Sequence, residues 1–149
     1  MYYLDEPFVG KKERKYLNQC ISSGWISSQG PFVKKFEKKF ANYIGVKYAI
    51  SCASGTAALA LLFKTLKLKK DDEVIMPALT FSADGFALLQ SGAKLIFVDC
   101  FPNSFCMDTN AVIKKITKKT KIICPTHLYG FPADLDNLKK VCKKNKIYF

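Results

Sequence analysis

Three short segments of this 149-residue chain combine residue types and spacings suited to chemistry. The first is Ser51-Cys52-Ala53-Ser54-Gly55-Thr56-Ala57-Ala58, at the junction of an extended pattern and a helical one. Gly55 lets a ligand approach the backbone closely. Free N–H groups and the dipole of a helix start then favour an anion, above all a phosphate. Ser54 and Thr56 add hydroxyl donors, although either could serve only as a helix cap. The spacing fits neither Gly-x-x-x-x-Gly-Lys nor Gly-x-Gly-x-x-Gly, which excludes the ordinary nucleotide fingerprints. The second segment is Met76-Pro77-Ala78-Leu79-Thr80-Phe81-Ser82-Ala83, where Phe81 could stack on a flat ring or fill a core. The third is Pro125-Thr126-His127-Leu128-Tyr129-Gly130-Phe131-Pro132-Ala133-Asp134. His127 is the single histidine, and a lone histidine is more often a hydrogen-bonding structural residue than a catalyst. Asp134 could equally cap the helix that follows it.

The elements that must position these segments alternate. Helices are expected over residues 11–22 and from Pro31 to Gly45, the latter carrying Phe32, Phe36, Phe40 and Ile44 as an apolar core stripe. Residues 47–52 read as a strand and 55–66 as a buried helix, apolar nearly all round. Strands at 73–76, 94–98 and 121–124 then alternate with helices at 82–90, 109–117 and 134–144, and Lys146 opens a further strand. Short apolar strands between helices predict an α/β three-layer sandwich with a mostly parallel sheet. Each of the three segments follows a strand, which places it at the carboxyl edge where such sheets bind ligands.

Composition narrows the functions. The net charge is +12, from 24 basic and 12 acidic residues, but Arg14 is the only arginine. Specific phosphate or base readout recruits arginine forks, so pairs such as Lys38-Lys39 and Lys143-Lys144 read as solvated helix faces and not as a nucleic-acid surface. Six cysteines form no Cys-x-x-Cys pair, and with one histidine no metal site is expected. No apolar run approaches the length needed to span a bilayer, and the first residues resemble no secretory signal. The expectation is a cytoplasmic protein with reduced thiols.

Taken together, the ordered segments resemble a known family. Ser54-Gly55-Thr56-Ala57-Ala58-Leu59, Met76 to Phe81, Phe97-Val98-Asp99 and His127 to Asp134 each follow a strand in turn. Gly24-Trp25-Ile26-Ser27-Ser28-Gln29-Gly30-Pro31 precedes Phe36-Glu37. This order is similar to the amino-terminal part of the DegT/DnrJ/EryC1/StrS family of pyridoxal-phosphate-dependent sugar aminotransferases. The resemblance implies the large domain of the fold-type-I transferases, incomplete at the carboxy end. It implies residues 1–30 as an amino-terminal helix and substrate or interface loop, and 31–149 as a partial cofactor-binding domain.

It also implies roles. Ser54, Gly55 and Thr56 would hold the phosphate of pyridoxal phosphate, and Phe81 would stack on its ring. Trp25, Ser27 and His127 would lie towards substrate. The complete enzyme would move an amino group from a donor such as glutamate to a nucleotide-linked keto-sugar. It would act as a cytoplasmic homodimer in nucleotide-sugar and cell-surface polysaccharide biosynthesis. A sugar dehydratase of the same family and a non-catalytic interaction or regulatory remnant are the alternatives.

Two departures qualify the resemblance. Asp84-Gly85 stands where the family commonly has small neutral residues, so Asp84 either points away from the cofactor phosphate or marks an altered site. The lysine that bonds the cofactor and the acid that pairs with its ring nitrogen would follow the strand opening at Lys146. No catalytic residue is therefore assigned, the chain alone is expected to be inactive in transamination, and its end within a strand predicts a truncated piece. A related expectation is an exposed sheet edge at residues 47–52.

Overall fold

The computed structural model describes residues 6–149. The chain divides into two compact units, Met1–Ser51 and Cys52–Phe149.

The first unit contains α1 (Lys11–Ser22) and α2 (Pro31–Ile44). Pro31 occupies the first turn of α2, where its missing N–H costs nothing. Gly45 ends the helix in the left-handed conformation, donating its N–H to the Ala41 carbonyl. The expected core stripe is not a core. Only Ala41 of α2 is buried, while Phe36, Phe40 and Ile44 stay about half exposed. A helical period specifies that residues share a face, not what covers it. Here α1 meets α2 through an edge-to-face contact of Tyr16 on Phe32, with ring centroids 5.6 Å apart. The expected strand at 47–52 is likewise absent, since no ladder partner lies beside it among the described residues. The Ser51 N–H and hydroxyl instead donate to the Glu37 carboxylate, both at 2.9 Å.

The second unit runs α3 (Gly55–Thr65), β1 (Glu73–Pro77), α4 (Ser82–Leu89), β2 (Lys94–Val98), α5 (Thr109–Lys115), β3 (Thr120–Ile123) and α6 (Leu135–Asn145). Its parallel sheet has the order β2-β1-β3. Beyond β3, the Tyr148 N–H donates to the Lys121 carbonyl and the Ile123 N–H to the Tyr148 carbonyl, in a parallel bridge. The strand expected to open at Lys146 thus begins on the β3 side.

Successive strand residues point to opposite faces, and two cores result. Val74 and Ile122 pack with Phe63 of α3, Ala87 and Leu88 of α4, and Ala93. Ile75, Ile123 and Val98 pack with Val112 of α5, Leu138 and Cys142 of α6, and Met107. The unit is therefore a three-layer α/β sandwich with β1, buried along its whole length, at the centre. The expectation that α3 is a buried helix fails. Phe63 is buried, but Leu61 and Leu62 are about half exposed, because only one side of the helix meets the sheet layer. Among the described residues no helix is long and apolar enough to cross a membrane.

Candidate functional site at the carboxyl edge

The layer assignment locates a crevice. The chain leaves β1 for α4 in one layer and leaves the adjacent β3 for α6 in the other. Neighbouring strands whose connections part in this way leave an opening at their carboxyl ends, the usual ligand position in an open α/β sheet. The late α3 residue Phe63 packs with Val74 at the start of β1 and with Ala87 and Leu88 late in α4. The amino terminus of α3 therefore lies at the same edge as the start of α4.

Ser54 caps α3. Its hydroxyl accepts the Ala57 N–H at 3.2 Å, so that side chain is already committed to the helix. Gly55 and Thr56 follow in the exposed first turn. A Cβ added to Gly55 would meet nothing within 4 Å, so the protein's own packing does not demand glycine and the approach to the turn is open. Phe81 takes the cap position of α4 with an extended backbone and no side-chain cap bond. It is 73% exposed, so its ring is a free platform and not a core residue. An open helix start beside an exposed aromatic ring fits a planar ring that carries a phosphate.

The floor of the crevice holds a network not anticipated from the sequence. Asp84, in the first turn of α4, accepts through Oδ2 from the hydroxyls of Thr80 and Thr126, the latter at 3.1 Å. The two hydroxyl oxygens are 3.0 Å apart. One carboxylate thus joins the loop after β1 to the loop after β3. Asp84 had stood out as a departure, and Thr80 and Thr126 belong to the second and third segments, but neither segment indicated that they meet it. Beside it, Cys124 is pushed up to about 11, mainly by burial and secondarily by the Asp84 charge.

His127 is exposed, and its Nδ1 accepts the Ala133 N–H at 2.9 Å. In the neutral ring the proton then sits on Nε2, which leaves a donor directed away from that bond. The loop turns at Tyr129 and Gly130, both with positive φ, and the Phe131 N–H closes it on the Leu128 carbonyl. Phe105 packs edge to face on Tyr129 and Phe131 and steadies this turn. Asp134 does cap α6, accepting the Asn137 N–H at 3.3 Å and its side-chain amide at 2.8 Å.

Trp25 and Ser27 belong to the first unit. The Ser27 hydroxyl donates to the Gln29 carbonyl and accepts the Gln29 N–H. Gly30 has φ +153°, and a Cβ there would touch the Trp25 side chain at 3.4 Å, so this turn needs glycine. With Leu17, Ile21 and Phe32, Trp25 and Ser27 line a cavity of about 300 Å³. The seven expected site residues thus separate into two groups. Ser54, Gly55, Thr56, Phe81 and His127 share the carboxyl edge of the sheet, and Trp25 and Ser27 share the loop between α1 and α2.

Known proteins resemble this chain in sequence and in fold. Over 143 residues the chain is 38% identical to GDP-perosamine synthase of Vibrio cholerae, covering 96% of this chain and 39% of that protein. The solved aminotransferase of Psychrobacter cryohalolentis superimposes with a TM-score of 0.89 at 29% identity, over 95% of this chain and 36% of its own. Escherichia coli GDP-4-keto-6-deoxy-D-mannose-3-dehydratase, solved with hydrated pyridoxal phosphate bound, gives 0.90 at 31% identity, over 99% and 39%. The chain therefore spans well under half the length of each of these relatives. The second unit's sandwich accordingly has the fold of the fold-type-I transferases. Residues 7–149 match the model of the DegT/DnrJ/EryC1/StrS aminotransferase family, and the chain belongs to that family.

Proposed function

We propose that this chain forms the cofactor-phosphate and ring-platform side of a pyridoxal-phosphate-dependent sugar aminotransferase. Its reaction moves an amino group from a donor such as glutamate to a nucleotide-linked keto-sugar. The observation that carries this reading is the convergence of an open helix start, an exposed aromatic ring and an exposed histidine on one sheet edge. Membership of an aminotransferase family and a sugar-nucleotide relative support it.

In this reading the backbone N–H groups of Gly55 and Thr56 and the Thr56 hydroxyl hold the phosphate. Ser54 supports them by fixing the helix start. Phe81 covers one face of the ring and excludes water from it. His127 offers its Nε2–H as a donor at the edge, held in orientation by Ala133. Trp25 and Ser27 contact substrate from the loop between α1 and α2. When bound, the cofactor supplies the electron sink for amino transfer. The working protein is a cytoplasmic homodimer in nucleotide-sugar synthesis that feeds cell-surface polysaccharide.

Equilibrium dialysis of the chain with pyridoxal phosphate tests the reading. Binding is expected for the native sequence, and Ser54→Asp should weaken it at least tenfold by placing a carboxylate at the phosphate position. Binding untouched by Ser54→Asp and by Phe81→Ala would overturn the assignment.

A second reading is favoured by the structural likeness to the dehydratase, which matches the aminotransferase in quality. Product analysis of the complete enzyme with a nucleotide-linked 4-keto-sugar separates the two. An aminated sugar identifies the transferase, and a sugar that has lost a hydroxyl identifies the dehydratase.

A further inference from the structure

The charge of the second unit is divided between its faces. Residues 109–149 hold ten lysines against two aspartates, a net +8 of the chain's +12. Residues 52–108 hold five lysines against six acids, a net −1. A lysine-rich composition spread evenly would not separate the two stretches. The fold turns them into opposite layers, α5 and α6 on one face of the sheet and α3 and α4 on the other. All ten lysines are exposed.

The lysines also gather at one end of their layer. Both α5 and α6 leave the carboxyl edge and run back to the amino edge of the parallel sheet. Lys114 and Lys115 end α5, and Lys118 and Lys119 lie in the turn before β3. Lys143, Lys144 and Lys146 end α6. Backbone bonds hold this end together, since the Lys119 carbonyl accepts the Glu73 N–H at 2.9 Å and the Lys121 carbonyl accepts the Tyr148 N–H at 2.8 Å. Lysines in the last turns of α5 and α6 also offset the helix dipoles, but that accounts for only four of the ten. Acids do not neutralise the face. Asp134 caps the opposite end of α6, and Glu73 is buried against Thr117. The turn before β1 pairs Lys69 and Lys70 with Asp71 and Asp72 in sequence and adds no net charge. Two apolar groups stand among the lysines, Ile113 at 50% exposure and Tyr148 at 61%.

We propose that the amino-edge end of the α5–α6 layer is a docking face for an anionic lipid bilayer surface. Lysine charge supplies the attraction, and Ile113 and Tyr148 seat in the headgroup region. A headgroup layer is a diffuse negative field that needs no directional fork, so lysine suffices without arginine. A nucleic acid held by phosphate clamps and base readout recruits arginine, and this stretch has none. An exposed isoleucine gains from lipid and gains nothing from a phosphate backbone. Two helices side by side present a broad face, matched to a plane. Docked in this way, the carboxyl edge with Gly55, Phe81 and His127 points away from the bilayer and stays open. The inference does not depend on the cofactor reading.

Co-sedimentation of the full chain with phosphatidylcholine vesicles, with and without about one-third phosphatidylglycerol, tests it. Binding is expected only with the anionic lipid, and it should weaken steeply as salt is raised. The combined change Lys114→Gln, Lys115→Gln, Lys118→Gln and Lys119→Gln should weaken binding about tenfold or more. Lys34→Gln, Lys35→Gln, Lys38→Gln and Lys39→Gln together remove the same charge from exposed positions of α2 and should change it by no more than about twofold. Thermal melting verifies that both variants are folded. Equal losses in the two variants would reduce the binding to net charge and overturn the face. Equal binding to neutral vesicles, or none to either kind, would overturn the lipid as partner. A short DNA duplex that binds more tightly than the anionic vesicles at the same salt, and weakens in the first variant alone, would reassign the face to nucleic acid and overturn the proposal.

Discussion

The two ends of the central strand each carry an acid bonded to threonine, and they are built differently. At the amino end Glu73 is buried and accepts the Thr117 hydroxyl. Thr120 is buried beside it and its hydroxyl accepts the Thr117 N–H at 2.9 Å. The Glu73 N–H donates to the Lys119 carbonyl, so backbone and side chain tie β1 to the turn before β3. At the carboxyl end Asp84 is only half-buried, and Thr56, Phe81 and His127 on that side of the sheet are exposed. One acid closes a seam between strands. The other joins two loops at an edge whose neighbouring side chains stay exposed. The same chemistry, an acid accepting from threonine, serves cohesion where the chain turns tightly and a site where the connections diverge.

The sharpest way to break this contrast is Glu73→Ala. The change removes the buried carboxylate that accepts the Thr117 hydroxyl and should cost about 2 kcal/mol of stability, read from the urea midpoint. Pyridoxamine 5′-phosphate affinity should stay within about twofold. If the variant loses ligand binding while its stability holds, the division of labour between the two ends is wrong.

Ser54 probes the other end with a smaller effect. Ser54→Ala removes the α3 cap and should cost about 1 kcal/mol. Ser54→Asp keeps a capping oxygen and should cost little stability. Comparing the two variants separates capping from ligand repulsion at one position.

Cys124 reports on Asp84 without any ligand. A thiol held near 11 is almost entirely protonated at pH 8, so alkylation at this site should be slow compared with exposed Cys52. Burial is the larger cause and persists in Asp84→Asn; the charge is the smaller cause and is removed. Site-resolved mass spectrometry should therefore find Cys124 alkylation about threefold faster in Asp84→Asn, still far below Cys52. An unchanged rate would show that Asp84 does not act electrostatically on its surroundings.

Much of the second unit was legible because local signals and packing agree. Val74-Ile75-Met76 before Pro77, and Lys121-Ile122-Ile123 before Pro125, are short apolar runs with a stop, and both became strands. The likeness of the ordered segments to one family was also legible, and the family match covers nearly the whole chain. The first unit was harder. The four-residue spacing of Phe32, Phe36, Phe40 and Ile44 correctly gave a helix, but a spacing carries no information about the partner layer. Residues 47–52 read as a strand, yet a strand is a pairing, and Ser51 found a carboxylate instead. The Thr80–Asp84–Thr126 link was illegible for another reason. Asp84 and Thr126 are 42 residues apart, and only the order β2-β1-β3 makes their loops neighbours.

Asp134 gives the smallest effect and a defined sign. Its carboxyl is held below the usual carboxylate value, first by the Asn137 side-chain amide, with further contributions from the Asn137 N–H, Thr109 and the Lys140 charge. A carboxylate whose value falls on folding adds stability that is fully present above its unfolded value near 3.8. That contribution disappears as pH falls through the lower folded value. Asp134→Asn keeps a good capping residue for α6, so stability at pH 7 should change by only about 0.5 kcal/mol. The acid limb of a stability–pH curve should be shallower in the variant, since one titrating group has been removed. Because Asp134 caps a helix and its carboxylate is bonded to Asn137, pyridoxal phosphate affinity should be unchanged. A shallower acid limb with native affinity would place the boundary between cap and site along the eight residues from Thr126 to Ala133. An altered affinity would extend the site as far as α6.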